Sequence, residues 1–187
     1  MSACSHFGAE SMRHTFVTEQ WVGYSREQVF MFFANPANLP PLMPAWQRAR
    51  VEKAHFVPPS TTRPGLNTSL IAGKGSLISI SFRPVPLVPF RLGWDAYIAE
   101  FQWNDCFCDE QRKGPFRYFR HCHSIREEIR GAVRGCVVRD EVQYELPLGW
   151  VGEVANRLVV NGQMQMLFRH RQKMLAILLP QAVLERG

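Results

Sequence analysis

The stretch of sequence that decides the fold is CFCDEQRKGPFRYFRHCHSIREEIRGAVRGCVVRDEVQYELP, residues 106–147. In an extended chain every second residue shares a face, and three runs here mix apolar and polar residues in that way: 107–111, 119–125 and 140–146. Gly114-Pro115 and the segment Gly131–Gly135 are typical of turns between them. The stretch therefore predicts three consecutive strands that short connections force to pair antiparallel. They span 106–113, 117–126 and 134–146.

Four further strands are predicted from β-branched and aromatic composition. They cover residues 14–24, 46–56, 68–82 and 90–103, the third with a kink expected at Gly73 and Gly75. After the first of these strands, Ser25 and Gln28 form a capping box that predicts the start of a helix. Asn35-Pro36 predicts its end. A short helical turn is expected around residues 37–39.

One long helix is predicted towards the C-terminus. From Trp150 to Leu179 the chain contains no proline and two internal glycines, Gly152 and Gly162, and its apolar residues recur at helical spacing. Such a helix spans about 43 Å at about 1.5 Å per residue. Pro180 is predicted to stop it.

This order of elements predicts an α+β fold. An antiparallel sheet of six or seven strands needs cover on one face, and the C-terminal helix is the one predicted element long enough to provide it. We expect a curved six- to seven-stranded antiparallel sheet wrapped around that helix, with the space between them either open as a cavity or filled by side chains. One domain is expected over residues 14–180, with tails at 1–13 and 181–187.

Composition narrows the classes of function. Of 187 residues, 46% are hydrophobic, and 22 Lys+Arg against 16 Asp+Glu give a formal net charge of +6. Because the basic residues are spread along the chain, no nucleic-acid partner is predicted. The longest uncharged stretch, 28–47, contains four prolines and cannot form a continuous membrane-spanning helix. Residues 1–13 lack the apolar core of a signal peptide and the five cysteines are an odd count, so we expect a cytoplasmic protein with free thiols.

Several motifs carry a resemblance to a known family. The most specific are FCDEQ at 107–111, GP at 114–115, FRHCH at 119–123 and DEVQYELP at 140–147, and weaker ones lie at 24–39, 42–44 and 94–98. Together they resemble the START/SRPBCC superfamily of birch-pollen-allergen-like, helix-grip domains, and more narrowly its bacterial cyclase/dehydrase-like group. The resemblance covers about residues 14–178. It implies an apolar small molecule between sheet and helix, which members of the superfamily transport, sense, cyclise or dehydrate.

Polar residues on the predicted concave face are the first candidates for chemistry. If the three strands are neighbours, five of these side chains converge: Asp109, Gln111, His121, His123 and Asp140. One interpretation is a hydrogen-bonded network that pins the sheet, and a second is hydrogen bonding to a ligand. A third is acid/base catalysis, with His121 or His123 as base and Asp109 or Asp140 as its orienting carboxylate.

The predicted ligand-binding residues add an apolar lining to this polar set. The lining is expected to comprise Trp94, Ile98, Phe107, Phe119, Met164 and Phe168. Tyr144 is a further expected polar group. Arg171 falls on the apolar side of the predicted long helix. It is expected either to contact an acidic headgroup of the ligand or to lie at the rim of the cavity with its charged end in water. The proline-rich segment 36–44 is a candidate gate.

No metal ion and no cofactor is predicted. His121 and His123, with Asp109 as a third ligand, have a spacing that permits a metal site, but two histidines one residue apart are a weak signal. Three cysteines fall on the opposite face of these strands, where free thiols are expected rather than a zinc cluster: Cys106, Cys108 and Cys122.

The function expected from these observations is binding of a small hydrophobic or amphipathic molecule in a cavity between the sheet and the C-terminal helix. The alternative is a cofactor-free cyclase- or dehydratase-type lyase that acts on an enolisable aromatic or polyketide-type substrate. A third interpretation is an interaction module that touches a membrane or a protein partner through the hydrophobic loop Pro84–Phe90. No transmembrane segment is predicted, and the sequence leaves the oligomeric state open.

Overall fold

A computed structural model describes residues 13–60, 68–87, 89–147 and 159–184 of the chain. Within these ranges seven strands form one sheet. The strands are β1 (His14–Val22), β2 (Arg50–His55), β3 (Leu77–Phe82), β4 (Leu92–Gln102), β5 (Cys106–Lys113), β6 (Tyr118–Arg130) and β7 (Val133–Glu145). Their order is β1-β7-β6-β5-β4-β3-β2, and every neighbouring pair is antiparallel. The predicted antiparallel sheet is therefore confirmed.

Two predicted strands are shorter than expected. Ala45–Gln47 forms a 3₁₀ turn that ends at Arg48, whose φ of 46° lies in the left-handed region and redirects the chain into β2. Residues 68–76 are not a strand, because Gly75, with a φ of +94°, interrupts the extended backbone before β3 begins. The kink expected at this glycine is thus a boundary between a loop and a strand.

The first helix, α1 (Arg26–Phe33), starts at the predicted capping box. The Gln28 backbone N–H donates to Ser25 Oγ at 3.3 Å, and the Ser25 N–H donates to Gln28 Oε1 at 3.0 Å. Phe30 is fully buried and packs edge-on against Phe101 and Phe107. This aromatic contact fixes α1 against the sheet.

The proline-rich segment after α1 forms two short helical turns, as predicted around residues 37–39. A 3₁₀ turn covers Pro36–Asn38, capped by the Asn35 side chain, and the short helix α2 covers Leu39–Leu42. Prolines at the first positions of these turns cost no hydrogen bond, because the N–H groups there have no partner within a helix.

The C-terminal helix, α3 (Asn161–Leu184), buries Met164, Phe168, Leu175 and Leu179. The prediction that Pro180 ends this helix is wrong, because the helix continues to Leu184 with the proline inside it. Proline lacks the N–H that would bond one turn back, but Leu179 and the Ala182 and Val183 side chains beyond it pack against the core and hold the last turn. The predicted first part of the helix, residues 150–158, lies outside the described residues, as does almost all of the predicted N-terminal tail.

A disulfide corrects the expectation that all cysteines are free thiols. Cys108 of β5 and Cys122 of β6 are direct cross-strand partners, and their sulfurs are 2.16 Å apart. The pairing register of the two strands brings them together, which their spacing in the sequence does not reveal. Cys136 is a free, buried thiol, and burial raises its pKa to about 11.

Candidate functional site

A cavity of about 430 Å³ lies between the sheet, the α1–α2 segment and α3. Its volume falls within the range of about 300 to 1,000 Å³ that is typical of small-molecule sites. Most of its wall is apolar, with Ile78 and Ile80 on β3, Trp94, Ala96 and Ile98 on β4, and Leu167 on α3. The space between sheet and helix is therefore open and not filled by side chains.

Aromatic rings make up a large part of this wall. The Phe119 ring lies 4.5 Å from the Trp94 ring at a right angle, and Phe116 lies 5.7 Å from Trp94 and 5.3 Å from Phe119. Rings of this kind present flat, polarisable surfaces on which another ring can stack.

Four polar side chains meet against the cavity because the strand register brings them together. Asp109 of β5 is the cross-strand partner of His121 on β6, and His123 of β6 is the partner of Asp140 on β7. All four point to the face that carries the apolar lining, and their side chains are only 6 to 17% exposed. The convergence predicted from strand alternation is observed for these residues.

Asp140 is the centre of this cluster. Its Oδ1 lies 3.1 Å from His121 Nε2 and 2.6 Å from His123 Nδ1, so one carboxylate oxygen accepts from both imidazoles. His121 Nδ1 faces Asp109 Oδ1 across 3.8 Å, which is too long for a hydrogen bond. The His123 ring lies between the rings of Phe33 and Phe107, with centroids 5.4 and 4.5 Å away. Both imidazoles are thus held in fixed orientations.

Arg171 reaches the same cluster from α3. Its Nη2 lies 3.7 Å from Asp140 Oδ1 and 3.4 Å from His123 Nδ1, and its guanidinium carbon lies 4.9 Å from the centre of the Phe33 ring. The side chain is 13% exposed. Arg171 is therefore the counterion of a buried carboxylate and also part of the cavity wall.

Burial and neighbouring charges set the protonation of the cluster. Burial raises the pKa of Asp109, although His121 and Arg171 act against that rise. Burial, followed by the proximity of His121, lowers the pKa of His123 to about 3. Burial alone would raise the pKa of Asp140, but Arg171, His123 and the imidazole hydrogen bonds hold it well below its usual range. At neutral pH an ionised Asp140 therefore accepts from a neutral His123.

A second polar group on the cavity wall is the amide of Gln47. This side chain is buried, and its Oε1 has no hydrogen-bond partner among the described residues. A buried acceptor without a donor is costly.

Most of the predicted ligand-binding residues lie on the cavity wall. They are Trp94, Ile98, Phe107, Asp109, Phe119, His121, His123, Met164, Phe168 and Arg171. Asp140 lies behind the two histidines and contacts both of them. Tyr144 is buried beside Val142 and Met164, outside the wall.

Gln111 does not line the cavity. Its amide bonds both backbone groups of Phe116, donating from Nε2 to the carbonyl at 2.7 Å and accepting from the N–H at 3.2 Å. The side chain therefore closes the β5–β6 turn, and a Cβ at Gly114 would collide with it. A register shift in the β4–β5 pairing accompanies this departure from simple alternation.

The sequence did not indicate the part of the wall that α1, the helical turns at 36–47 and β3 build. These residues include Phe32, Phe33, Asn38, Gln47, Ile78 and Ile80. The four prolines of segment 36–44 were the available signal, and Pro36, Leu39, Leu42 and Met43 of that segment do line the cavity. Whether this segment opens as a gate stays a prediction.

The loop Pro84–Phe90 begins at the cavity and ends at the surface. Pro84 lines the cavity and its carbonyl accepts from Gln163 Nε2 on α3. Leu87 is 99% exposed and Phe90 is 55% exposed, while Val88 lies outside the described residues. The loop therefore lies at the edge of the cavity, where a cover is expected. Its contact with a membrane or a protein partner stays a prediction.

A curved seven-stranded antiparallel sheet that encloses a cavity with a long C-terminal helix defines a helix-grip domain. Solved structures share this fold. A protein from Chromobacterium violaceum matches with a TM-score of 0.58 at 10% identity, over 88% of this chain and 96% of that one. Norcoclaurine synthase from Thalictrum flavum matches with a TM-score of 0.55 at 14% identity, over 94% and 96%. Major latex-like protein 151 from Panax ginseng matches with a TM-score of 0.53 at 8% identity, over 88% and 96%.

The helix-grip fold that the resemblance implied is thus confirmed, and at these identities the likeness shows the fold alone. No protein-family model and no curated protein sequence matches the chain. Among the described residues, no helix is long and apolar enough to span a membrane.

Proposed function

We propose that the protein binds a small amphipathic organic molecule in the cavity between the sheet and α3. The observation that carries this proposal is an open, mostly apolar cavity of about 430 Å³ with a buried polar cluster on its wall. The apolar part of the ligand packs against the rings of Trp94 and Phe119. A polar substituent contacts Asp109 and His121.

Apolar burial supplies the affinity in this proposal. A ligand that buries about 200 Å² of apolar surface gains about 5 kcal/mol at about 25 cal/mol per Å². Ordering the ligand offsets part of this gain, so the polar contacts set orientation and selectivity. One fold neighbour, norcoclaurine synthase, is described in complex with dopamine and hydroxybenzaldehyde, at 13% identity. Ligands of comparable kind, a ring with polar substituents, suit the rings and polar groups of this cavity.

Titration with the fluorescent apolar probe anilinonaphthalene sulfonate tests the proposal. We expect saturable binding of one probe per chain and a rise in probe fluorescence, because the cavity wall is apolar. The control is Leu87→Asn, which removes the most exposed apolar side chain of the Pro84–Phe90 loop. Unchanged binding by this variant supports the cavity as the binding site. Loss of binding in Leu87→Asn, or no saturable binding by the wild type, contradicts the proposal.

A second candidate function is cofactor-free proton transfer, as in a cyclase- or dehydratase-type lyase. The contact of 3.1 Å between His121 and Asp140 favours it, because a carboxylate-oriented imidazole on a cavity wall is placed to take a proton from a bound substrate. The molecule that co-purifies with the protein, returned to it in D₂O, distinguishes binding from this chemistry. Catalysis predicts deuterium at an acidic carbon with wild type and none with His121→Ala, and binding alone predicts none with either.

A further inference from the structure

We infer that Asp109, His121 and His123 form a binding site for one divalent transition-metal ion, with an open coordination position towards the cavity. One ring nitrogen of each histidine and one carboxylate oxygen of Asp109 lie within 4.8 Å of one another. This departs from the sequence-based expectation of no metal, because the strand register supplies a third ligand that the short His121-x-His123 spacing could not place.

Asp140 occupies only one ring nitrogen of each histidine. The Asp140 carboxylate accepts a hydrogen bond from Nε2 of His121 and another from Nδ1 of His123. A neutral imidazole that donates from one ring nitrogen presents a lone pair at the other. Metal-ligating histidines in proteins usually donate their second nitrogen to a carboxylate in this way, which fixes the ring and strengthens the ligand. Here a single carboxylate does so for both rings.

The spacing across the cluster is that of ligands around an ion. His121 Nδ1 and Asp109 Oδ1 are 3.8 Å apart and make no hydrogen bond, so nothing links the two groups directly. Two bonds of about 2.0 to 2.2 Å, one from each atom, are together longer than this gap, so one ion can bridge both atoms at an angle. The upper limit of 4.8 Å on the separations within the cluster is slightly more than two such bonds, so the ligands close in on the ion when it binds.

The charge of the surroundings also permits a cation. Arg171 is the closest positive group, and it is paired with Asp140 at 3.7 Å. That pair is close to neutral overall, so Asp109 remains as the anionic ligand. Two imidazoles and one carboxylate suit zinc, ferrous iron, cobalt or nickel rather than magnesium or calcium, which prefer all-oxygen sites. An ion held by three protein ligands keeps a position for a ligand atom from the cavity.

The metal site shares Asp109 and His121 with the proposed organic-ligand site, but it needs no organic ligand and is tested without one. Tag-free protein, stripped with a chelator and dialysed, is titrated with Co²⁺ and followed by visible absorption. We expect one Co²⁺ per chain, with bands of a four- or five-coordinate ion that excess Zn²⁺ abolishes. Asp109→Asn is expected to weaken binding at least ~100-fold, more than the typical cost of losing an outer contact. The control His55→Ala removes an exposed histidine on β2 and is expected to bind as wild type does.

A second readout needs no variant at the site. Paramagnetic Co²⁺ shifts the proton resonances of the imidazoles that bind it, and we expect two shifted imidazoles that are unchanged in His55→Ala. No Co²⁺ binding by wild type overturns the inference. So does binding that a folded Asp109→Asn retains, or binding that His55→Ala loses.

Discussion

Replacing Asp140 with asparagine is expected to lower the free energy of unfolding at neutral pH by about 3 kcal/mol. The carboxylate is 8% exposed, lies 3.7 Å from Arg171 and accepts from both imidazoles. Asparagine keeps the shape but leaves a nearly buried guanidinium without its counterion, and removing one partner of a buried pair typically costs about 3 to 5 kcal/mol. Urea unfolding followed by tryptophan fluorescence measures the change.

Two variants control this prediction. Glu141→Gln alters the neighbouring carboxylate, which pairs with the half-exposed Arg139, and is expected to change stability by less than about 1 kcal/mol. The double variant Asp140→Asn/Arg171→Met removes both charges and is expected to recover most of the loss. An Asp140→Asn protein as stable as wild type would show that this carboxylate does not organise the cluster.

Replacing Ala96 with tryptophan is expected to weaken ligand binding at least ~100-fold, because the indole occupies the space that the ligand needs. Ala96 lies on β4 between Trp94 and Ile98 and lines the cavity. Because the added ring enters open space, we expect a loss of stability at the lower end of the range typical of overpacking, about 1 kcal/mol. Probe titration measures affinity, and urea unfolding confirms that the variant folds.

The matched control is Ala176→Trp, the same substitution on the exposed side of α3. This variant is expected to bind the probe as wild type does. A folded Ala96→Trp protein with wild-type affinity would place the binding site elsewhere on the molecule.

Local patterns in the sequence were sufficient to predict most helices and strands and about half of the site residues. The capping box at Ser25, the bounds of β5 and the shared face of Asp109, His121 and His123 depend on neighbours within a few residues, so periodicity and capping chemistry reveal them. The resemblance of motifs then indicated how the elements assemble, and the fold agrees with it.

Features that depend on pairing over long distances could not be predicted in this way. The Cys108–Cys122 disulfide requires the register of β5 with β6, and the contact of Arg171 with Asp140 requires the position of α3 over the sheet. The buried Gln47 amide belongs to an irregular turn whose path is set by tertiary packing. Pro180 was misjudged because packing beyond it outweighs its local effect on the helix.

The most direct test of cavity binding is the mass of the intact protein under native and denaturing conditions, for wild type and Ala96→Trp. We predict that native wild type carries an excess of roughly 150 to 400 Da, in line with the cavity volume, as purified or after incubation with the probe. The excess should be lost on denaturation and absent from Ala96→Trp. Equal native and denatured masses for wild type even after incubation with the probe, or the same excess on Ala96→Trp, would contradict binding in this cavity.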